Sequence, residues 1–310
     1  MEKINRRKFI RNSFAVGSGM ILVPTIISSF VSGVVSRKPN SKFGGVQIGA
    51  ITYSWRSMPG SAEDILKYCL EAGINSIEMM GGTIEDYVGA PQDAEERKTW
   101  RRNVSMKKFA ALRKKYNKAG VEIHLVNFGP AGWRKNDWWS DEETDYAFNV
   151  AKAMGAGGVT NEIGNDACQR LGKFAEKHGM FAVYHNHGQP GEAGFNYDKY
   201  LSYSPANMLC LDAGHYFGAT GKHPNELISR LHDRIYTLHL KDKTGPNSNP
   251  KDSNTEWGKG ETPIADMLKL IQKNKWPIFC DIELEYEISG GSNAQKEIIK
   301  CVQYCKNILN

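Results

Sequence analysis

Short apolar runs alternate with amphipathic stretches of helix length along nearly the whole chain. Eight runs read as strands: 47–53, 76–80, 121–128, 158–163, 181–185, 208–211, 235–240 and 278–284. Helical periodicity fills the intervals 62–72, 105–119, 141–154 and 166–178. Each of these is followed at once by a glycine, Gly73, Gly120, Gly155 and Gly179, the residue that most readily takes the left-handed conformation ending a helix. Ser61 precedes Glu63 and Asp64, and Ser140 precedes Asp141, Glu142 and Glu143, so two of the helices begin with a cap and negative charge at the positive end of their dipole. A last helix spans 294–309. Strands that alternate with helices build a parallel sheet with crossovers, and eight is a number that closes one. The pattern predicts an α/β fold, a single-domain (β/α)8 TIM barrel over residues 46–310, of ordinary length for that fold. The alternative is an open doubly wound sheet, but no GxGxxG follows the first strand and no P-loop is present.

Charge changes the picture mainly at the N-terminus. The chain carries a formal +6, which suggests nucleic acid until its distribution is read. Residues 1–38 hold Lys3, Arg6, Arg7, Lys8, Arg11, Arg37 and Lys38 against Glu2 alone. Setting those seven apart from the 40 basic residues, and Glu2 from the 34 acidic ones, leaves 33 of each sign. A neutral body exerts no general pull on phosphate backbones, so no nucleic-acid partner is expected. The run Asn5-Arg6-Arg7-Lys8-Phe9-Ile10-Arg11, followed by an apolar stretch to about residue 35 that contains Pro24, resembles a twin-arginine export signal. It implies an exported, periplasmic protein, with 39–45 as a linker. If the segment stays uncleaved, it is the one part that tethers the chain to a membrane. The six cysteines, at 69, 168, 210, 280, 301 and 305, show neither CxxC spacing nor a disulfide framework.

In barrels of this kind the chemistry sits at the carboxyl ends of the strands. Polar, metal-capable residues gather at those ends here: Glu78, His124 and Asn127, Glu162, His185 and His187, Asp212 and His215, His239 and Lys241, then Asp281, Glu283 and Glu285. Any one of them alone is more often a satisfied structural group. Together they need pairing or a metal, because unpaired charge at the barrel mouth costs several kcal/mol to bury. A period of two points His185 with His187, His239 with Lys241, and Asp281 with Glu283 and Glu285 in common directions. Mixed carboxylate and imidazole donors suit one divalent ion: Mn2+, Co2+, Mg2+ or Zn2+.

The runs Tyr184-His185-Asn186-His187, Leu211-Asp212-Ala213-Gly214-His215 and Leu238-His239-Leu240-Lys241-Asp242 resemble the sugar phosphate isomerase/epimerase group. This is the xylose-isomerase-like TIM barrel superfamily, with inosose dehydratases and ketose 3-epimerases among its members. The resemblance implies a divalent metal held by Asp212, His239 and Glu283, with Asp281 or Glu285 as alternatives to Glu283. The ketose epimerases place a glutamate on strand five where this chain has His185. Either His185 is itself a ligand or Glu162 supplies the missing carboxylate. The preferred reading takes Glu162 as the ligand, with His185 and His187 at the substrate. The resemblance also places His215 at the substrate.

The implied chemistry is proton abstraction next to a carbonyl through an enediolate, on a sugar or keto-sugar. Return of the proton gives epimerisation or isomerisation, while loss of a neighbouring group gives dehydration or glycoside cleavage. His185, Glu285 and Glu162 are candidate bases, and Lys241 stabilises an oxyanion or pairs with Asp242. His124, Trp55 and Trp257 complete the expected substrate contacts. The long Gly-, Pro- and Asn-rich loop 243–260 is expected to lie over the site. Trp133, Trp138 and Trp139 hold a glycosyl unit, staple a lid or form a contact in a homo-oligomer. With no phosphate cradle in view, the substrate is expected to be non-phosphorylated. The competing readings are a keto-sugar lyase or dehydratase, a DNA-repair endonuclease on the same barrel, and a non-catalytic sugar-binding barrel.

Overall fold

The computed structural model describes residues 38–131 and 138–310. The expectations for residues 1–37 and for Trp133 fall outside them. The eight expected strands form: β1 (Val46–Ile51), β2 (Ser76–Met80), β3 (Glu122–Asn127), β4 (Gly158–Glu162), β5 (Phe181–His185), β6 (Asn207–Asp212), β7 (Ile235–Leu240) and β8 (Phe279–Ile282). Each pairs in parallel with the next, and β8 returns to β1, so the sheet closes into a (β/α)8 barrel. The open-sheet alternative is thereby excluded.

The four sequence-predicted helix ends behave as expected. Gly73, Gly120, Gly155 and Gly179 all take left-handed φ, from 65° to 90°. Ser61 with Asp64, and Ser140 with Glu143, form reciprocal capping boxes. Six helices were not anticipated: Gly81–Val88, Ala94–Asn103, Tyr197–Ser202, Ala213–Thr220, Pro224–Leu231 and Ile264–Asn274. Ala94–Asn103 buries none of its residues, so it carries no apolar stripe to read. It is held by Arg101, whose guanidinium meets Glu85 at 2.8 Å and Glu143 at 2.9 Å. Ala213–Thr220 hides its helical character behind Gly214 and Gly218. Both glycines are needed, because a Cβ at 214 would lie 2.4 Å from Lys241 Cγ, and one at 218 would lie 2.0 Å from Asp252 Oδ1.

The stretch 39–45 is not a free linker. Lys42–Phe43 pairs antiparallel with the start of β1, and Ser41 is fully buried against Ile48 and Asn75. No described helix is long and apolar enough to cross a membrane.

Inside the barrel, period two puts Phe181, Val183 and His185 on one face of β5, and Met208, Cys210 and Asp212 on one face of β6. An apolar layer thus underlies the polar mouth. One charged pair lies lower down. His124 donates through Nε2 to the Asp281 carboxylate at 2.8 Å, its Nδ1 lies 3.0 Å from the Ser76 hydroxyl, and its ring stacks on Phe279. Burial opposes its charged form, but the Asp281 carboxylate outweighs burial and raises its pKa. His124 is therefore an interior structural group, a correction to its expected place at the substrate. Asp281, held also by Thr237 at 2.9 Å, drops out as a mouth ligand for the same reason. Asp281→Ala is expected to leave His124 without its counter-charge and to destabilise the fold by about 3 kcal/mol. Urea unfolding checks this; a loss under about 1 kcal/mol would show that the pair is not needed for stability.

Candidate active site

The strand ends bring His185, Asp212, His239 and Glu283 together, all buried, with one donor atom from each within 4.8 Å of the others. Local structure aims each group. Asp212 caps the helix Ala213–Thr220 by accepting from the His215 N–H at 2.7 Å through Oδ1, which leaves Oδ2 for the cluster. Asn186 clamps the ends of β5 and β6, donating to the Asp212 carbonyl and accepting from the Asp212 N–H. The two imidazoles each have a carboxylate on the far side. Glu78 holds His239 Nε2 at 3.0 Å, so Nδ1 faces Glu283 Oε2 at 2.9 Å. Glu162 lies 3.6 Å from His185 Nδ1, so Nε2 faces Asp212 Oδ2 at 3.2 Å. A histidine oriented by a carboxylate behind it is how proteins present a nitrogen to a metal. The donor set fits a divalent cation.

The cluster holds an excess of negative charge. Glu78, Glu162, Asp212, Glu283 and Glu285 converge, and among the described residues Lys241 is the lysine that answers three of them. Its ammonium lies 2.9 Å from Asp212 Oδ2, 3.0 Å from Glu283 Oε2 and 2.6 Å from Glu285 Oε2. Burial opposes its charge, yet the three carboxylates outweigh burial and raise its pKa. Burial likewise opposes protonation of His185 and His239, but the carboxylates bonded to them push both well upward. Burial raises Glu162 and Glu285, but their cationic partners prevail and bring each down to about 2. His215 differs from these, since burial dominates and lowers its pKa.

A cavity of about 170 Å3 opens above the cluster, lined by Tyr53, Met80, Asn127, Asn161, Glu162 and His187 among others. Beside it, Glu162 Oε1 meets His187 Nδ1 at 2.9 Å, and Gln189 donates to the same carboxylate. A larger cavity of about 570 Å3 lies at the opposite end of the barrel, between Asn40, Gln47, Asn75, Glu122, Trp276 and Phe279. None of the metal-capable clusters among the described residues reaches it.

The profile of the xylose isomerase-like TIM barrel family matches residues 66–306. The chain belongs to that family. Several solved structures share its fold. A sugar phosphate isomerase/epimerase from Parabacteroides distasonis is 18% identical, with 86% of this chain and 98% of that one covered and a TM-score of 0.60. A probable 3-DHS dehydratase from Bacillus anthracis is 14% identical over 83% and 98% of the two chains, at 0.60. A D-psicose 3-epimerase from Clostridium cellulolyticum H10 is 9% identical over 86% and 100%, at 0.61. None of the curated proteins compared with the chain matches it.

Within this xylose isomerase-like barrel, three of the four expected ligands, Asp212, His239 and Glu283, stand together as foreseen. The fourth position is taken by the alternative, not by Glu162. His185 completes the set, and Glu162 stands behind His185 and beside His187. Lys241 does not pair with Asp242. The Asp242 carboxylate instead accepts from the N–H groups of Gly258, Gly260 and Thr262, tying down the loop. His187, His215 and Glu285 do gather at the mouth. Trp55 and Trp257 do not join them. Trp55 is buried against Tyr68 and donates to Gln295, and Trp257 packs on Tyr304 of the last helix. Trp139 is wedged between Phe128, Tyr146 and Arg101, and Arg170 lies over Trp138, so both serve packing. Gln189, Asn161 and Lys243 went unnoticed, because a single amide or lysine carries no pattern of its own.

The Lys241 ammonium touches the same oxygens that would hold a metal ion. A unit charge about 4 Å away is worth about 4 kcal/mol at an effective dielectric of 20. Lys241→Met is therefore expected to bind Mn2+ at least about tenfold more tightly than wild type, a change that needs only about 1.4 kcal/mol. Calorimetric titration of chelator-treated protein measures it, and unchanged or weaker binding would refute the competition.

Proposed function

We propose that the chain is a divalent-metal-dependent isomerase or epimerase of a non-phosphorylated sugar or keto-sugar, working by proton transfer at the carbon next to a carbonyl. The observation that carries this reading is the buried His185–Asp212–His239–Glu283 set on the floor of a pocket, with the Glu162–His187 pair beside it. The ion, one of Mn2+, Co2+, Mg2+ or Zn2+, would supply the Lewis acidity that stabilises an enediolate. His187 is the base. Glu162 occupies its Nδ1, leaving Nε2 to take the proton from carbon, and a histidine oriented by a carboxylate is suited to that work. This assignment replaces His185, whose ring is committed to the cluster. Asn127 and Asn161 line the pocket with groups able to bond hydroxyls.

Among the described residues no arginine or lysine lines the pocket, and both nearby lysines are engaged, Lys241 by three carboxylates and Lys243 by Asp252. A phosphate would meet carboxylates there without a free cation among the described residues, which supports a substrate lacking one. Export through the twin-arginine-like segment at residues 1–38 agrees with such a substrate. No part in nucleic-acid binding is assigned.

Elimination from a keto-sugar is the second reading. A protonated His187 can return its proton to a leaving oxygen on the same face, so elimination needs no second residue, whereas epimerisation needs a donor on the opposite face. The family fold carries both activities, in a psicose epimerase and a probable dehydratase.

The test begins with metal analysis of the purified full chain beside Asp212→Ala and His239→Ala. About one divalent ion per chain, lost in both variants, is expected. Unphosphorylated keto-sugars and 3-keto-glycosides are then followed by NMR in D2O, with deuterium expected at the carbon next to the carbonyl in wild type and not in His187→Ala. Accumulation of an unsaturated product selects the elimination. Failure of the wild type to take up Mn2+, Co2+, Mg2+ or Zn2+ would sink the enzyme reading in favour of a sugar-binding barrel.

A further inference from the structure

One buried lysine plays no part in the cluster. Lys243, two residues beyond Lys241, is 3% exposed, in a short strand paired with Asn254–Thr255. Its Nζ lies 2.8 Å from Asp252 Oδ1 and 3.3 Å from His215 Nδ1. An ammonium only donates, so Nδ1 of His215 must accept. In a neutral ring the hydrogen is then on Nε2. That atom is buried without a hydrogen bond in line, 3.3 Å from Glu285 Oε2, and the ring lies 4.8 Å from that of His187 at the pocket. The backbone of His215 is pinned as well, by its N–H to Asp212 Oδ1.

The loop that follows β7 reaches this lysine through a gap left in a helix. Gly218 sits inside Ala213–Thr220, where a Cβ would meet Asp252 Oδ1 at 2.0 Å and Lys243 Cε at 3.0 Å. A glycine inside a helix lowers its stability, so a close approach is a physical reason for one there. Asp252 itself takes a left-handed φ of 48°, a conformation aspartate tolerates better than most residues.

We infer that Lys243 is a positioning residue that fixes the Nε2–H tautomer of His215, so that a neutral imidazole presents a hydrogen-bond donor to an oxygen of the substrate, and that Asp252 holds Lys243 in place from the loop. The donor role rests on the proposed function; the tautomer does not. Loop 243–260 thereby acts on the site through one lysine. Donation from a neutral ring moves no proton, which distinguishes the part of His215 from that of His187.

The test reads the tautomer directly. The full chain, labelled with 15N-histidine and free of metal and substrate, is examined near neutral pH by long-range proton–nitrogen correlation, with the His215 signals assigned by their loss in His215→Gln. Wild type is expected to show the Nε2–H form. Lys243→Met is expected to lose it, Lys243→Arg to keep it, and Gly218→Ala to weaken it by displacing Asp252. A wild-type ring protonated on Nδ1, or on both nitrogens, would overturn the inference, as would a Lys243→Met ring unchanged from wild type. Should Lys243→Met fail to fold, wild type and Gly218→Ala decide the matter. Neither metal uptake nor turnover enters the reading, so it can fail while the proposed function stands, and the reverse.

Discussion

The structure depends on compensating carboxylates that the barrel forces together. Glu78, Glu162, Asp212, Glu283 and Glu285 come from four strand ends onto one mouth, largely out of water. Carboxylates so placed repel one another and lose hydration, and a protein interior accepts them only with cations and hydrogen bonds supplied. Here the compensation comes from His185, His239 and Lys241, and a divalent ion would add to it. The same arrangement that makes the mouth costly to build makes it a cation site. Stability and chemistry are therefore opposed at this point, and Lys241 stands where the two meet.

The rest of the fold serves to hold that ring of charge. Beneath it lies an apolar layer, and among its residues a second charged pair, His124 with Asp281, bonded also to Ser76 and Thr237. The glycines at 214 and 218 give up helix stability so that one lysine and one loop can approach. Asp242 binds three loop N–H groups and fixes the segment from which Asp252 reaches Lys243. Each of these is a local weakness or a buried charge with its partner beside it.

Much of this was legible in the chain. Eight apolar runs, four glycine-terminated helices and two capping boxes are local signals, and the closed barrel follows from them. Asp212, His239 and Glu283 were legible because each sits at a strand end within a short motif. The six unanticipated helices were not, since Ala94–Asn103 lacks an apolar stripe and Ala213–Thr220 contains two glycines. Trp55 and Trp257 misled, because an aromatic ring near a strand end reads alike whether it faces the pocket or a helix.

The sequence by itself determined the architecture, the mouth at which polar groups collect and the kinds of donor found there. These rest on periodicity and on residue type, which are properties of neighbouring positions. Only the tertiary structure decided that His185 rather than Glu162 completes the cluster, that Lys241 answers Asp212, Glu283 and Glu285 rather than Asp242, and that His124 belongs to the interior. Those assignments depend on how far each side chain reaches and on what faces it from other strands. His124 and Asp281 are 157 positions apart in the chain, and His239 and Glu78 are 161 apart. No local pattern can pair residues at such separations; closing the barrel does, because it sets the first strand beside the last.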